Sequence, residues 1–257
     1  MSARASCLGL ALLLLTSAPA GAALFDFTPQ PRLVLFVGVD VSGSFLKGPD
    51  FDDSMHFLAR YLYAHLNGLE GLEKPAALFV GSIGGDKKGE PKVFYPIETF
   101  QNKTPDEIEA KLLEIFPKDK VDAYTDYNAF FDKVTEMVKD RKMILRPLSV
   151  VMVSDGMLDV PGKNGRHDYR AINLSPIEKL SRNVTLRLLY TSPTVGKKWE
   201  SAIPRKRVKI WTQEAPVMET WKDPKIFLPN EAMDTQDLFL KWVKNNVDFG
   251  VRVKRVD

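Results

Sequence analysis

Two rhythms of apolar residues alternate along the chain. The run LVLFVGVDV at 33–41 is apolar at nearly every position and rich in β-branched residues. It predicts a strand buried on both faces, as in the middle of a parallel sheet. Met55, Leu58, Tyr61, Leu62, His65 and Leu66 then recur at helical spacing before Asn67-Gly68, which predicts a helix capped by Asp53 or Ser54. AALFVGSIG at 76–84 reads as a second strand and GGDKKGEPK as a turn. VFYPIETF at 93–100 reads as a strand that Pro96 confines to a sheet edge, so this pair predicts a hairpin.

Farther on, Thr104-Pro105-Asp106-Glu107 supplies a capping box with proline at the first helical position, and Ile108, Leu112, Ile115 and Phe116 line one face behind it. A second amphipathic helix is expected from Asp126, with Tyr127, Phe130, Phe131, Val134, Met137 and Val138 as its buried stripe. LSVVMVS at 148–154 predicts another buried strand that ends at Asp155-Gly156. VTLRLLYTS at 184–192 and RVKIWT at 207–212 follow as strands, each after a loop or short helix. A last helix over 235–247 carries Leu238, Phe239, Trp242 and Val243 behind an Asp234 or Thr235 cap, and VRVKRV is expected to close the chain as a short strand. The stretch 213–233 shows no readable period. Strands alternating with helices predict an α/β fold, a mostly parallel sheet covered on both faces, with ligand sites outside the carboxyl ends of the strands.

Composition narrows the picture. With 257 residues, 44% of them hydrophobic, the chain can build one compact core. A net charge of +3, with basic and acidic residues interspersed, leaves no electrostatic footprint for nucleic acid. The one basic cluster, Arg205, Lys206, Arg207 and Lys209, is read as a solvated loop. Arg4, the apolar run CLGLALLLL and the small residues of TSAPAGAA have the layout of a secretory signal peptide, with cleavage after Ala20 or Ala22. Residues 1–22 are therefore expected to be a leader and 23–257 a single domain, exported to a bacterial periplasm or the extracellular space. The apolar run is too short to span a bilayer, so no permanent membrane span is expected after cleavage. Cys7 is the only cysteine and leaves with the leader, so no disulfide or thiol chemistry is expected in the mature protein. Sequons at Asn102, Asn173 and Asn183 are read as chance.

Candidate chemistry starts in DVSGS at 40–44, at the carboxyl end of the first strand. A carboxylate and two hydroxyls at alternating loop positions, Asp40, Ser42 and Ser44, can converge on a small hard cation that prefers oxygen ligands. Alone, the string also fits a turn whose Asp and Ser side chains bond nearby backbone. Thr125, in a loop just before a helix, and Asp155, at the end of the next buried strand, arrive at the same predicted edge.

In DVSGS, the YTDYNAF segment and VSDG together, the sequence resembles the von Willebrand factor type A family, over about 33–212. The resemblance implies a three-layer, Rossmann-like fold: a mostly parallel central sheet with one antiparallel edge strand, helices on both faces, and a closing helix and extension over 213–257. It also implies a metal-ion-dependent adhesion site. Asp40, Ser42 and Ser44 would be its first-loop ligands, Thr125 the second-loop ligand and Asp155 the third-loop acid, with Asp40 and Asp155 acting directly or through water. The cofactor implied is Mg2+, or Mn2+ or Ca2+, and the partner a protein that offers a Glu or Asp to the metal. The implied chemistry is capture rather than turnover.

Other residues have ordinary readings beside functional ones. Asp126 is read as a helix N-cap, with a part in the metal site as the alternative, and Asp159 as a solvated loop residue that could line the rim. His56, His65 and His167 lack ligand-like spacing, which argues against zinc; His65 is expected to be packed or half exposed. Trp199, Trp211, Trp221 and Trp242 read as core or shell aromatics, with a binding surface as the alternative for Trp221. An aspartate-nucleophile phosphatase would need an acid where Ser42 stands, and no G-x-S-x-G elbow supports a serine hydrolase, so an enzyme is not expected. The remaining alternatives are a structural type A domain of an exported assembly and, behind it, a metal-dependent hydrolase.

Overall fold

The computed structural model describes residues 30–87, 89–90, 92–158 and 168–249. The expected leader at 1–22, Asp159, His167 and the closing VRVKRV strand lie outside the described residues. The first strand, β1 (Leu33–Val39), is buried at all seven positions, as its unbroken apolar run requires. The chain then forms one-turn helix α1 (Gly43–Leu46), α2 (Asp50–Asn67), β2 (Pro75–Ser82), a two-residue strand β3 (Gly84–Gly85) and β4 (Phe94–Pro96). Next come α3 (Pro105–Ile115), β5 (Tyr124–Thr125), α4 (Tyr127–Asp140), β6 (Leu148–Val153), α5 (Ser175–Glu178) and β7 (Val184–Thr191). The remaining elements are α6 (Pro193–Ala202), β8 (Lys209–Glu214), α7 (Ala215–Met218) and α8 (Asp237–Asn246).

The main sheet has six strands in the order β4-β2-β1-β6-β7-β8. β1 runs parallel to β2 and β6, β6 to β7 and β7 to β8, while β4 alone is antiparallel, pairing Phe94–Pro96 with Phe79–Gly81 of β2. This is the expected α/β architecture, edge hairpin included. Alternation along β1 divides the core: Leu35, Val37 and Val39 face the layer of α2, α3 and α8, and Val34 and Phe36 face that of α4, α5 and α6. Chain order reverses between β1 and β6, since β1 leads to β2 on one side and the chain returns to β6 on the other. That junction is where an open α/β sheet leaves a crevice at its carboxyl edge.

Several boundaries differ from the sequence expectation, each for a tertiary reason. α2 begins at Asp50, and Asp53 and Ser54 lie buried inside it rather than capping it. Ser54 Oγ donates back to the Phe51 carbonyl, and Asp53 accepts from Tyr190, Trp221 and Lys222. The edge strand stops at Pro96, where the missing N–H ends pairing and a 3-10 turn, Ile97–Thr99, follows. The last β-strand is displaced to Lys209–Glu214. Asp234 and Thr235 sit in a 3-10 turn, and α8 starts after Gln236; its buried stripe is Phe239, Leu240, Trp242 and Val243, which leaves Leu238 61% exposed. Met137 of α4 is only half-buried. The α3 capping box forms as expected, Thr104 accepting from the Glu107 amide and Glu107 from the Thr104 amide.

The stretch without readable period, 213–233, is a packed cover over α2 and α8. It inserts Met218, Trp221, Phe227 and Met233 into the core, with the Trp221 ring 5.3 Å from Phe227 and 5.9 Å from Phe239. Trp221 is thereby a core residue. Its indole donates to Asp53 Oδ2 at 3.2 Å, Tyr190 Oη to the same oxygen at 2.8 Å, and Lys222 Nζ to Oδ1 at 2.8 Å, so one carboxylate ties the cover to α2 and to the end of β7. Removing it would strand two buried donors. Asp53→Ala is expected to lower unfolding free energy by about 3 kcal/mol in urea titrations. Its exposed neighbour Asp52, paired with Lys118, is expected to matter by less than about 0.5 kcal/mol when changed to Ala.

Candidate metal centre

Asp40 leaves the end of β1 fully buried. Its backbone amide donates to the Val153 carbonyl across the β1–β6 crevice at 3.0 Å. The chain then turns into α1, whose Phe45 and Leu46 sink into the core, Phe45 with ring contacts to Phe51 and Tyr190. This anchor fixes the preceding serines. Ser42 stands at the N-cap position of α1 without using its hydroxyl as a cap, and that hydroxyl instead lies 3.3 Å from the hydroxyl of Ser44. Ser42 is buried and Ser44 exposed, so the loop climbs from the core to solvent within a few residues.

Thr125 reaches the same place through a small second sheet, in which β5 pairs antiparallel with β3 and Thr125 lies opposite Gly84. Flanking bonds hold the turn: the Asp122 amide donates to the Val41 carbonyl and the Asp126 amide to the Ile83 carbonyl. Thr125 Oγ1 donates to Asp40 Oδ1 at 3.4 Å. Asp126 has its expected N-cap role, accepting from the Ala129 amide, and also accepts from the Gly89 amide.

Asp155 follows β6 and is half-buried. Its carboxylate accepts from the Met157 amide at 2.8 Å, and its charge acts on Asp40. Gly156 turns the chain there with φ +73°, and an added Cβ would come within 2.9 Å of Leu188, Val195 and the Trp199 indole. Glycine meets both demands. The Trp199 indole donates to the Gly156 carbonyl, so this tryptophan braces the turn from the α6 side.

Two residues of the centre escape notice in the sequence. Ser154 Oγ donates to Asp40 Oδ2 at 2.5 Å, and the buried Tyr127 hydroxyl lies 2.8 Å from Ser154 Oγ. The signals were present: Ser154 directly precedes Asp155, and Tyr127 opens the α4 stripe, where it reads as an apolar position. With the Ser42 amide on Oδ1 at 2.9 Å, the Asp40 carboxylate accepts from three separate loops. Burial nonetheless dominates and pushes its pKa up to about 6, with the hydrogen bonds from Ser154 and Ser42 pulling down and the Asp155 charge adding to the rise. Asp50, near Asp155, is also raised, first by partial burial and then by Glu219.

All five residues thus meet at one carboxyl edge. Among the described residues no group of three or more His, Cys, Asp and Glu side chains could hold a metal, and the donors here are two carboxylates and three hydroxyls. That set suits a hard divalent cation. Neighbouring oxygens on an octahedral ion with bonds of about 2.1 Å lie roughly 3 Å apart, close to the 3.3 Å between the serine hydroxyls. A hydroxyl can also give a lone pair to an ion while its O–H donates to a carboxylate, and Thr125 already donates to Asp40. His56 bonds Glu109 and His65 the Glu73 carbonyl, and neither is bonded to a residue of this edge.

No family model matches the chain, and no curated protein matches it. Among solved structures, it is similar to proximal thread matrix protein 1 of the mussel byssus with a zinc-occupied MIDAS motif, at 12% identity and a TM-score of 0.43, over 82% of this chain and 46% of that one. The chain therefore spans less than half the length of that protein. Manganese-loaded TRAP protein of Plasmodium vivax matches at 16% identity and TM-score 0.44 over 72% of this chain and 70% of that one. The SpRpn10 VWA domain matches at 9% and 0.40 over 82% and 95%.

Because the folded pKa of Asp40 lies above its ordinary value of 3.8, the metal-free protein gains stability from this group when it is protonated. That gain is complete below the unfolded value and is lost as pH rises to about 6. In metal-free buffer, Asp40→Asn is expected to be more stable than wild type at about pH 7.5, by up to about 3 kcal/mol, and no more stable at about pH 4. Chemical denaturation at both pH values checks this.

Proposed function

We propose that this chain is an exported, non-enzymatic protein-binding module that captures a Glu or Asp of a partner protein through a divalent cation. Mg2+ is the expected ion, with Mn2+ or Ca2+ as substitutes, and Asp40, Ser42, Ser44, Thr125 and Asp155 are its protein ligands, directly or through water. The observation that carries this reading is the gathering of those oxygen donors at one crevice, graded from buried Asp40 to exposed Ser44.

The charge balance supports capture. Two carboxylates against a doubly charged ion, with three neutral hydroxyls, leave the ion short of anionic partners if one or both acids act through water. When bound, the cation would supply an open coordination position to an incoming carboxylate. The chain's own residues do the rest: Ser154, Thr125 and the Ser42 amide hold Asp40 in one orientation, and the α1 anchor holds Ser42 and Ser44 beside it. No helix of the described residues is long and apolar enough to cross a membrane. Export rests on the sequence of the leader.

Thermal melting of the full chain with Mg2+ and with chelator tests the metal site. Mg2+ is expected to raise Tm by several degrees at millimolar concentration, and Asp40→Ala is expected to abolish the rise. A wild-type Tm indifferent to the ion would refute the site. For capture, a pull-down from an exported fraction is expected to retain a partner with Mg2+ and release it with chelator; equal retention would show that binding does not use the ion.

A further inference from the structure

Beside the proposed metal centre, a lysine lies where sequence composition suggests only a polar turn. Lys92 is 5% exposed, and its ammonium donates to the Gly84 carbonyl, which also accepts from Ser82 Oγ. Gly84 is the residue paired with Thr125 in the small sheet. Burial works against the ammonium's charge and outweighs the carboxylates of Asp126, Asp122 and Glu90 that favour it, holding the Lys92 pKa below its ordinary value. Asp122 bridges to Ser42, and Asp126 adjoins Thr125. The Gly84 segment that the ammonium holds is thus the one paired with Thr125, and the ammonium lies within electrostatic reach of Asp122, which bridges to Ser42. A Cβ at Gly85 would stand 2.9 Å from both Lys92 Nζ and Glu90 Oε2, so the ammonium lies close against this backbone.

We propose that Lys92 is a positioning residue for the metal centre: its buried ammonium pins the Gly84 carbonyl and, through the Gly84–Thr125 pairing, sets the Thr125 hydroxyl. This rests on the reading of the edge as a metal site. The charge has a second use. The ammonium, which belongs to the chain, offsets part of the negative charge of Asp126, Asp122 and Glu90, so these carboxylates compete less with the centre for a mobile cation.

The test compares wild type with Lys92→Met, Thr125→Ala and the double variant, all as full chains. Calorimetric titration with Mg2+ and with Mn2+ is expected to show Lys92→Met weakened roughly tenfold to a hundredfold. The double variant is expected to bind no more weakly than Thr125→Ala, because Lys92 acts through Thr125. In chelator, amide exchange at Asp122 and Asp126 is expected to accelerate in Lys92→Met while β1 and β6 keep their wild-type protection. If Lys92→Met keeps ion affinity within about twofold of wild type, or exchange at Asp122 and Asp126 is unchanged, the proposal is overturned. Lys92→Gln, which keeps a neutral donor, replaces the methionine variant if that one does not fold. Should wild type bind neither ion, the metal reading fails, and exchange alone then decides whether Lys92 braces these loops.

Discussion

The structure turns on one buried carboxylate. Asp40 ends the central strand in full burial, and an ionised carboxyl there is costly unless donors and counter-charge meet it. No single loop can supply them. Ser42 comes from the chain just after β1, Thr125 from the turn before α4, and Ser154 from the end of β6. The requirement to satisfy Asp40 thus draws three loops to the crevice between β1 and β6, and one of its donors, the Thr125 hydroxyl, is also among the proposed cation ligands. The contacts that satisfy Asp40 also hold the proposed centre together.

The supports behind those loops differ in kind. Phe45 and Leu46 hold the first by apolar burial, the β3–β5 pair holds the second by backbone bonds, and Gly156 with the Trp199 indole holds the third by a tight turn. Each device is local, which would suit the proposed centre if it presents its ligands without first reorganising.

Much of this was legible in the sequence because the relevant signals are local. Unbroken apolar runs gave the buried strands, the Thr104–Glu107 box gave α3, and the alternating oxygens of DVSGS gave the first loop. What was hidden depends on partners far along the chain. Asp53 has the composition of a helix cap, but the donors that make it a core residue lie 137 and 168 positions away. Tyr127 looks like one more apolar helix residue until Ser154, 27 positions on, receives its hydroxyl. Lys92 sits in a stretch whose glycines and lysines spell a solvated turn, and only the return of that turn onto Gly84 buries it. In 213–233 the apolar residues follow the contour of α2 and α8 rather than a helix or strand period, so no periodicity could betray them.

The parallel register of the sheet also has a mechanical side. β1 enters at the edge opposite the crevice and delivers Asp40 at the other, with β2 and β6 alongside in the same direction over its length. At that opposite edge, Arg187 of β7 binds the Val247 carbonyl and Asp248, tying the end of α8 to the sheet. Were the proposed centre to grip a partner at Asp40, a pull resisted through Arg187 of β7 would pass from β1 to its neighbours along their parallel length. Such a load would shear the interstrand hydrogen bonds together instead of unzipping them one at a time, and a grip built this way would resist pulling better than its binding energy alone suggests.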